Sequence, residues 1–333
     1  MAKTMKAARF RKGEVIGGQF EVVRKLGEGG CGAVYRCRDS KRGGSDVAVK
    51  VLEDASELQR FRREARVMRA TDSEHVVRYH GKGRHEALSY LVMEFADGGS
   101  VKNLIDRRGK LAPNDAAWIL IQAIRGLKRA GTVHRDLKPE NLLLVKGSIG
   151  RGLELKPGDN DGGVTVKVAD FGLAKSPDAN SLSLTQSGQV MGTPVYMSPE
   201  QCRNTKRVSV RSDIYSLGVM LYELVTGRVP FDANNIYDIM EAHCNQEPRL
   251  GHLPKEVRAI CERCLQKEPG KRYPSLAALE RDLSHLAGLS FRGGGGGSGV
   301  WFVIITVLVL TGLAAAVFFF RHDLLEFYRQ LTG

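Results

Sequence analysis

Residues 133–141 read VHRDLKPEN, and this stretch decides the fold. Asp136, Lys138 and Asn141 lie within six residues of one another, and each is too polar to be buried without partners. Carried on one loop, they can point into a single small volume. There an aspartate can orient a hydroxyl, a lysine can hold a transferring anion, and an asparagine carbonyl can ligate a hard cation. Those are the requirements of phosphoryl transfer, and the flanking sequence has to supply a nucleotide site.

Upstream, Leu26–Tyr35 reads LGEGGCGAVY, with Gly27, Gly29 and Gly32 in a GxGxxG frame. Glycines let a backbone approach phosphates closely and offer them amide protons. Dinucleotide-binding turns share this spacing, but they run from a strand into a helix. Here the turn is followed by AVYRCRD, which is β-like, so a strand–turn–strand flap over a nucleotide is favoured. The strand DVAVKVLE alternates Val47, Val49 and Val51 with smaller or polar residues and carries Lys50. Leu58, Phe61, Ala65 and Met68 then mark one stripe of a helix that also bears Glu64. Lys50 reads either as a solvated edge residue or as the buried ion-pair partner of Glu64. Downstream, ADFG (169–172) follows the apolar run VTVKV and places Asp170 at a strand end. There it can hold a cation, or simply form a turn.

The order of these motifs resembles the eukaryotic-like (Hanks-type) serine/threonine protein kinase family over residues 20–285: GxGxxG, VAVK, a helical Glu, HRDLKPEN, DFG, then GTPVYMSPE. The resemblance implies an α+β, bilobal protein kinase fold with a small β-rich lobe, a large helical lobe and a cleft between them. It implies that Asp136 is the catalytic base, that Lys138 stabilises the transferring group, and that Lys50, paired with Glu64, contacts the α- and β-phosphates of ATP. Asn141 and Asp170 would hold Mg²⁺, with Mn²⁺ as an alternative. The nucleotide would lie among Gly27, Glu28, Gly29, Gly30, Cys31, Gly32, Val34 and Ala48, with Met93 at the gatekeeper position and Glu94 to Ala96 as the hinge. Glu200 and Arg272 match a structural ion pair of the large lobe, and Asp213 matches the aspartate that braces the catalytic loop. Lys138, two residues after Asp136, and Thr193 are the serine/threonine pattern. Arg135 before Asp136 is the arrangement of kinases switched on by loop phosphorylation. The loop acceptors are Ser181, Ser183, Thr185 and Ser187. The rival reading is a nucleotide-binding pseudokinase scaffold. It is disfavoured because Lys50, Asp136, Asn141 and Asp170 are all present.

Composition agrees with a folded enzyme: 42% hydrophobic and 26% charged residues over 333 positions leave room for a large core. Six scattered cysteines show no disulfide framework, and Cys261 and Cys264 share one face of a helix as core residues. The net charge of +13 is partly concentrated in Lys3, Lys6, Arg9, Arg11 and Lys12. A solvated arm is favoured there over contact with anionic lipid, and nucleic acid is not an expected partner.

At the far end, residues 300–320 form 21 positions without a charge, and about 20 apolar residues cross a bilayer. The expected organisation is a basic arm (1–19), a kinase domain (20–287, with lobes 20–97 and 98–287), a glycine-rich linker (288–299), one transmembrane helix (300–320) and a short extracytoplasmic tail (321–333). The catalytic body would then be cytoplasmic at the cell membrane, as in bacterial membrane-anchored members of the family. Its partners would be protein substrates with Ser or Thr acceptors and, for trans-autophosphorylation, a second copy of the chain. The glycine-rich stretch 146–163 reads as an exposed loop.

Overall fold

The computed structural model describes residues 10–29, 32–52, 58–146, 163–171, 194–203 and 207–289, together with Leu331. The chain divides into two units, Met1–Leu289 and Ser290–Gly333. Among the described residues no helix is long and apolar enough to cross a membrane, and the 300–320 segment lies outside them. So do Gly30, Cys31, Gly172, Thr193, most of the 146–163 stretch and all four loop acceptors.

The first unit begins with a six-stranded antiparallel sheet built from β1 (Val15–Ile16), β2 (Phe20–Gly29), β3 (Gly32–Asp39), β4 (Ser45–Leu52), β5 (Tyr79–His85) and β6 (Leu88–Glu94), in the order β1-β2-β3-β4-β6-β5. Residues 10–19, read from the sequence as part of the arm, join this sheet through β1, with Phe10 and Ile16 turned inward. Ile16 is fully buried, and the Phe10 ring stands edge-on to Tyr35 and His85. On β4 the expected alternation holds: Val47, Val49 and Val51 join Ile16, Tyr35 and Cys37 in one cluster. The opposite face is buried as well, because Leu52 and Leu91 pack on Phe61 and Ala65 of α1 (Leu58–Ala70). Met68 continues that stripe into the main core, and the Leu58 side chain lies outside the described set.

The helical part follows: β7 (Gly99–Ser100), α2 (Val101–Arg108), α3 (Pro113–Ala130), β8 (Leu142–Val145), β9 (Thr165–Val168), α4 (Pro199–Cys202), α5 (Val210–Thr226), α6 (Ile236–Asn245), α7 (Lys255–Cys264) and α8 (Leu276–Leu286). Ser100 and Ser209 close capping boxes on α2 and α5, and Pro113 opens α3 where a missing N–H costs nothing. From Ser212 to Leu224 every residue of α5 is buried, so α5 is the central helix of this lobe. Cys261 and Cys264 are free, fully buried core residues.

Strand β9 binds the two lobes to each other. Val77 donates to Val168 O at 3.0 Å, and Val168 donates back to His75 O at 2.9 Å. Gly126 of α3 lies against the same place, where an added Cβ would fall 2.3 Å from the His75 carbonyl oxygen. Because the obstacle is backbone, it cannot swing aside. Gly126→Ala is therefore expected to destabilise the unit by about 1–3 kcal/mol, read as a lowered denaturant midpoint, and an unchanged midpoint would refute that close packing.

Candidate active site

The glycine segment is a β-hairpin, not a strand–helix turn: Glu28 faces Ala33 and Gly29 faces Gly32 across β2 and β3. Gly32 has φ +127°, and a Cβ there would fall 1.9 Å from Val51 O, so only glycine fits where the hairpin crosses β4. Ala48 and Lys50 share one face of β4, opposite Met93 and Leu91 of β6 respectively.

Lys50 is the centre of a three-way ion cluster. Its ammonium donates to both Glu64 oxygens, at 3.2 and 3.0 Å, and to Asp170 Oδ1 at 2.7 Å. Burial works against the Lys50 charge, but the Asp170 and Glu64 carboxylates outweigh it and raise the pKa of the ammonium. Burial pushes Glu64 up to about 8 against the pull of Lys50, with Asp170 adding to the rise. Desolvation also opposes charge on Asp170, yet Lys50 and the surrounding hydrogen bonds hold its carboxyl below the usual range. One cation thus serves two buried carboxylates.

The VHRDLKPEN loop is held from behind. Asp213, 1% exposed, accepts from the backbone N–H of His134 at 2.8 Å and of Arg135 at 3.0 Å. Its burial in α5 raises its pKa against the pull of those bonds. The buried His134 ring contacts Ala169 O at 2.9 Å and lies against Phe171, joining this loop to the ADFG segment. Lys138 Nζ lies 3.0 Å from Asp136 Oδ2. Burial works against the Lys138 charge, but Asp136 raises its pKa. The Asn141 amide nitrogen donates to Asp136 O at 2.7 Å and to Asp136 Oδ2 at 3.3 Å. Its carbonyl oxygen therefore turns the other way, while Ala169 N donates to Asn141 O at 2.9 Å and brings Asp170 alongside.

The structure thus brings Lys50, Glu64 and Asp170 into one cluster and Asp136, Lys138 and Asn141 into another, with the short step from Asn141 to Ala169 between them. Among the described residues no three His, Cys, Asp or Glu side chains form a metal cage. An asparagine carbonyl and one carboxylate fit a hard cation that keeps water or phosphate oxygens as its remaining ligands. Met93 is buried behind Ala48, and Glu94 pairs with Lys167 of β9 at 3.1 Å.

Three features had no signal in the sequence reading: the Lys167–Glu94 pair, the left-handed backbone of Arg135 (φ +69°) and Asp170 (φ +51°), and a contact of Gln201 with the loop. The Glu200–Arg272 pair is present, with Nη1 and Nη2 of the guanidinium on the carboxylate at 2.8 and 2.9 Å.

Comparison with known proteins gives the same picture. A family model described as protein kinase domain matches residues 20–283. The serine/threonine-protein kinases PknA of Corynebacterium glutamicum is 35% identical over 276 residues, covering 78% of this chain and 55% of its own. Serine/threonine-protein kinase PknB of Mycolicibacterium smegmatis is 34% identical over 282 residues, covering 80% and 42%. Serine/threonine-protein kinase PrkC of Bacillus subtilis is 32% identical over 284 residues, covering 81% and 41%. The chain spans less than two thirds of the length of the curated relatives it matches, between 36% and 55%. Motif order, the two polar clusters and the match over 264 of its residues all agree: the chain belongs to the protein kinase family.

Proposed function

We propose that the chain is an ATP-dependent serine/threonine protein kinase that phosphorylates protein hydroxyls and its own activation loop. The observation that carries this reading is the assembled pair of clusters, one on each side of the Asn141–Ala169 step. Lys50, kept cationic by Glu64 and Asp170, is suited to hold phosphate oxygens under the Gly27–Gly32 flap. Val34, Ala48 and Met93 would line the adenine site, with Glu94 to Ala96 offering hinge backbone. Asp136 is suited to orient an incoming hydroxyl and accept its proton, and Lys138 to steady the transferring group. Asn141 and Asp170 would bind Mg²⁺ or Mn²⁺, and a metal bound there would neutralise charge developing on the phosphates.

Lys138 at two residues past Asp136 and the serine/threonine designations of the relatives support the choice of hydroxyl. We further read residues 300–320 as a single membrane span that keeps the kinase domain cytoplasmic, with a second copy of the chain as the partner for autophosphorylation on Ser181, Ser183, Thr185 or Ser187. The scaffold reading has no observation in its favour.

The test uses the full chain in mild detergent with γ-labelled ATP and Mg²⁺ or Mn²⁺. Label should appear on Ser or Thr after acid hydrolysis and disappear when the metal is chelated. ATP binding without any transfer would put the scaffold reading in its place.

A further inference from the structure

Asp136 is held by very little of its own. Its side chain is 50% exposed and, among the described residues, touches Lys138 and Asn141. The aim of its carboxylate is therefore set by the peptide that precedes it. That peptide starts from Arg135, whose φ of +69° lies in the left-handed region, which a residue with a Cβ occupies at a cost of about 1–3 kcal/mol. A conformation of this kind persists only where the surroundings fix it, and among the described residues three contacts do so. Asp213 Oδ1 takes the Arg135 N–H at 3.0 Å, and His134 Nδ1 faces the Asp136 N–H at 3.4 Å. The third contact is Gln201 Nε2, which donates to the Arg135 carbonyl at 2.6 Å.

The orientation of the Gln201 amide is unambiguous on chemical grounds. Its Oε1 accepts from the backbone N–H of Ser198 at 3.1 Å, where only an acceptor works, and its Nε2 meets a carbonyl, where only a donor works. Ser198 Oγ also lies 3.1 Å from Oε1. One side chain therefore ties α4 to the peptide that carries Asp136.

From this geometry we propose that Gln201 is a positioning residue for the transfer step: its amide fixes the 135–136 peptide plane and thereby aims Asp136. This rests on the reading of Asp136 as the base. A shift of about 1 Å in a reacting group can cost about 10²-fold in rate, and Gln201 acts on the turnover step rather than on nucleotide binding, which is built around Lys50.

Gln201→Glu is the sharpest probe. It keeps the length and the acceptor for Ser198 but sets a carboxylate oxygen against the Arg135 carbonyl. With the full chain and a peptide substrate, kcat is expected to fall at least 10-fold, with KM for ATP within twofold and the melting temperature of the kinase unit within about 2 °C. Gln201→Met, of similar length and uncharged, should fall in the same direction and carries the test if the glutamate variant does not fold. Ser198→Ala removes the hydroxyl yet leaves the Ser198 N–H bond, and should keep kcat within about threefold.

A kcat within twofold of the parent for either Gln201 variant would overturn the proposal. So would a loss of rate matched by an equal loss of folded protein or of ATP affinity, since that is what a purely structural role gives. An inactive parent chain would instead count against the kinase reading itself, so the two failures are distinct.

Discussion

Replacing Asp136 by asparagine is expected to lower phosphoryl transfer by about 10²–10⁴-fold, the range for loss of a general base, while ATP still binds. The substitution is nearly isosteric, and the backbone of the loop is held through Asp213 and Gln201 by groups it does not alter. What changes is chemistry at two atoms. The carboxylate that would orient the hydroxyl is gone, and Lys138 loses the anion 3.0 Å away that raises its pKa. The Lys50 cluster is untouched, so KM for ATP should stay within a few-fold. Single-turnover rates with the parent and variant chains decide the matter. A variant that retains more than a tenth of the parent rate would remove Asp136 from the role of base.

The second large effect is on stability, at Arg272. Its side chain is fully buried, and all three guanidinium nitrogens donate: Nε to Gln266 O at 2.7 Å, Nη1 to Glu200 Oε1 and Arg211 O, both at 2.8 Å, and Nη2 to Glu200 Oε2 at 2.9 Å and Lys267 O at 3.1 Å. The guanidinium plane also lies over the Tyr215 ring at 4.8 Å. Arg272→Ala would leave the Glu200 charge buried without its guanidinium and several carbonyls without their donor. Breaking a buried pair in this way costs about 3–5 kcal/mol, and a fall in melting temperature of about 10 °C or more is expected. Lysine would not rescue it, because a single ammonium cannot reproduce five directed bonds.

The pH dependence has a definite sign. Burial would raise the Glu200 carboxyl, but the Arg272 hydrogen bonds and charge outweigh it and hold the group below its ordinary value. Its contribution is therefore complete above the unfolded glutamate pKa, near 4.3, and is lost as pH falls through the lower folded value. In Arg272→Ala this part of the acid-unfolding profile should vanish. Equal melting temperatures for parent and variant would show that the pair is dispensable.

Much of the fold was legible in the sequence because its signals are local. The VAVK alternation and the α1 stripe follow from a period of two and of about four, each within one element. Of the candidate site, the Lys50–Glu64 pair and the contacts of Asp213 with the VHRDLKPEN loop lie where the motif order implies. What escaped was non-local. Gln201 meets a carbonyl 66 residues away, and Lys167 meets a glutamate on another lobe. Neither residue differs in its own neighbourhood from an ordinary polar surface position. The positive φ of Arg135 was equally hidden, since nothing in the residue type asks for it. The arm was read from its charges alone, and its apolar members, Phe10, Val15 and Ile16, were too few to register as a strand.

Those few residues bear on how the protein can be handled. An open sheet edge is a template for pairing with another chain, and the six-stranded sheet has two. At one, β5 carries Lys82 and Arg84, charges that discourage a neighbour. At the other, among the described residues, the ten-residue β2 is covered by Val15–Ile16 and by the Gly13 and Glu14 backbone bonds to Val22. A chain trimmed to residue 20, where the family match begins, would bare that edge and expose a template for self-association.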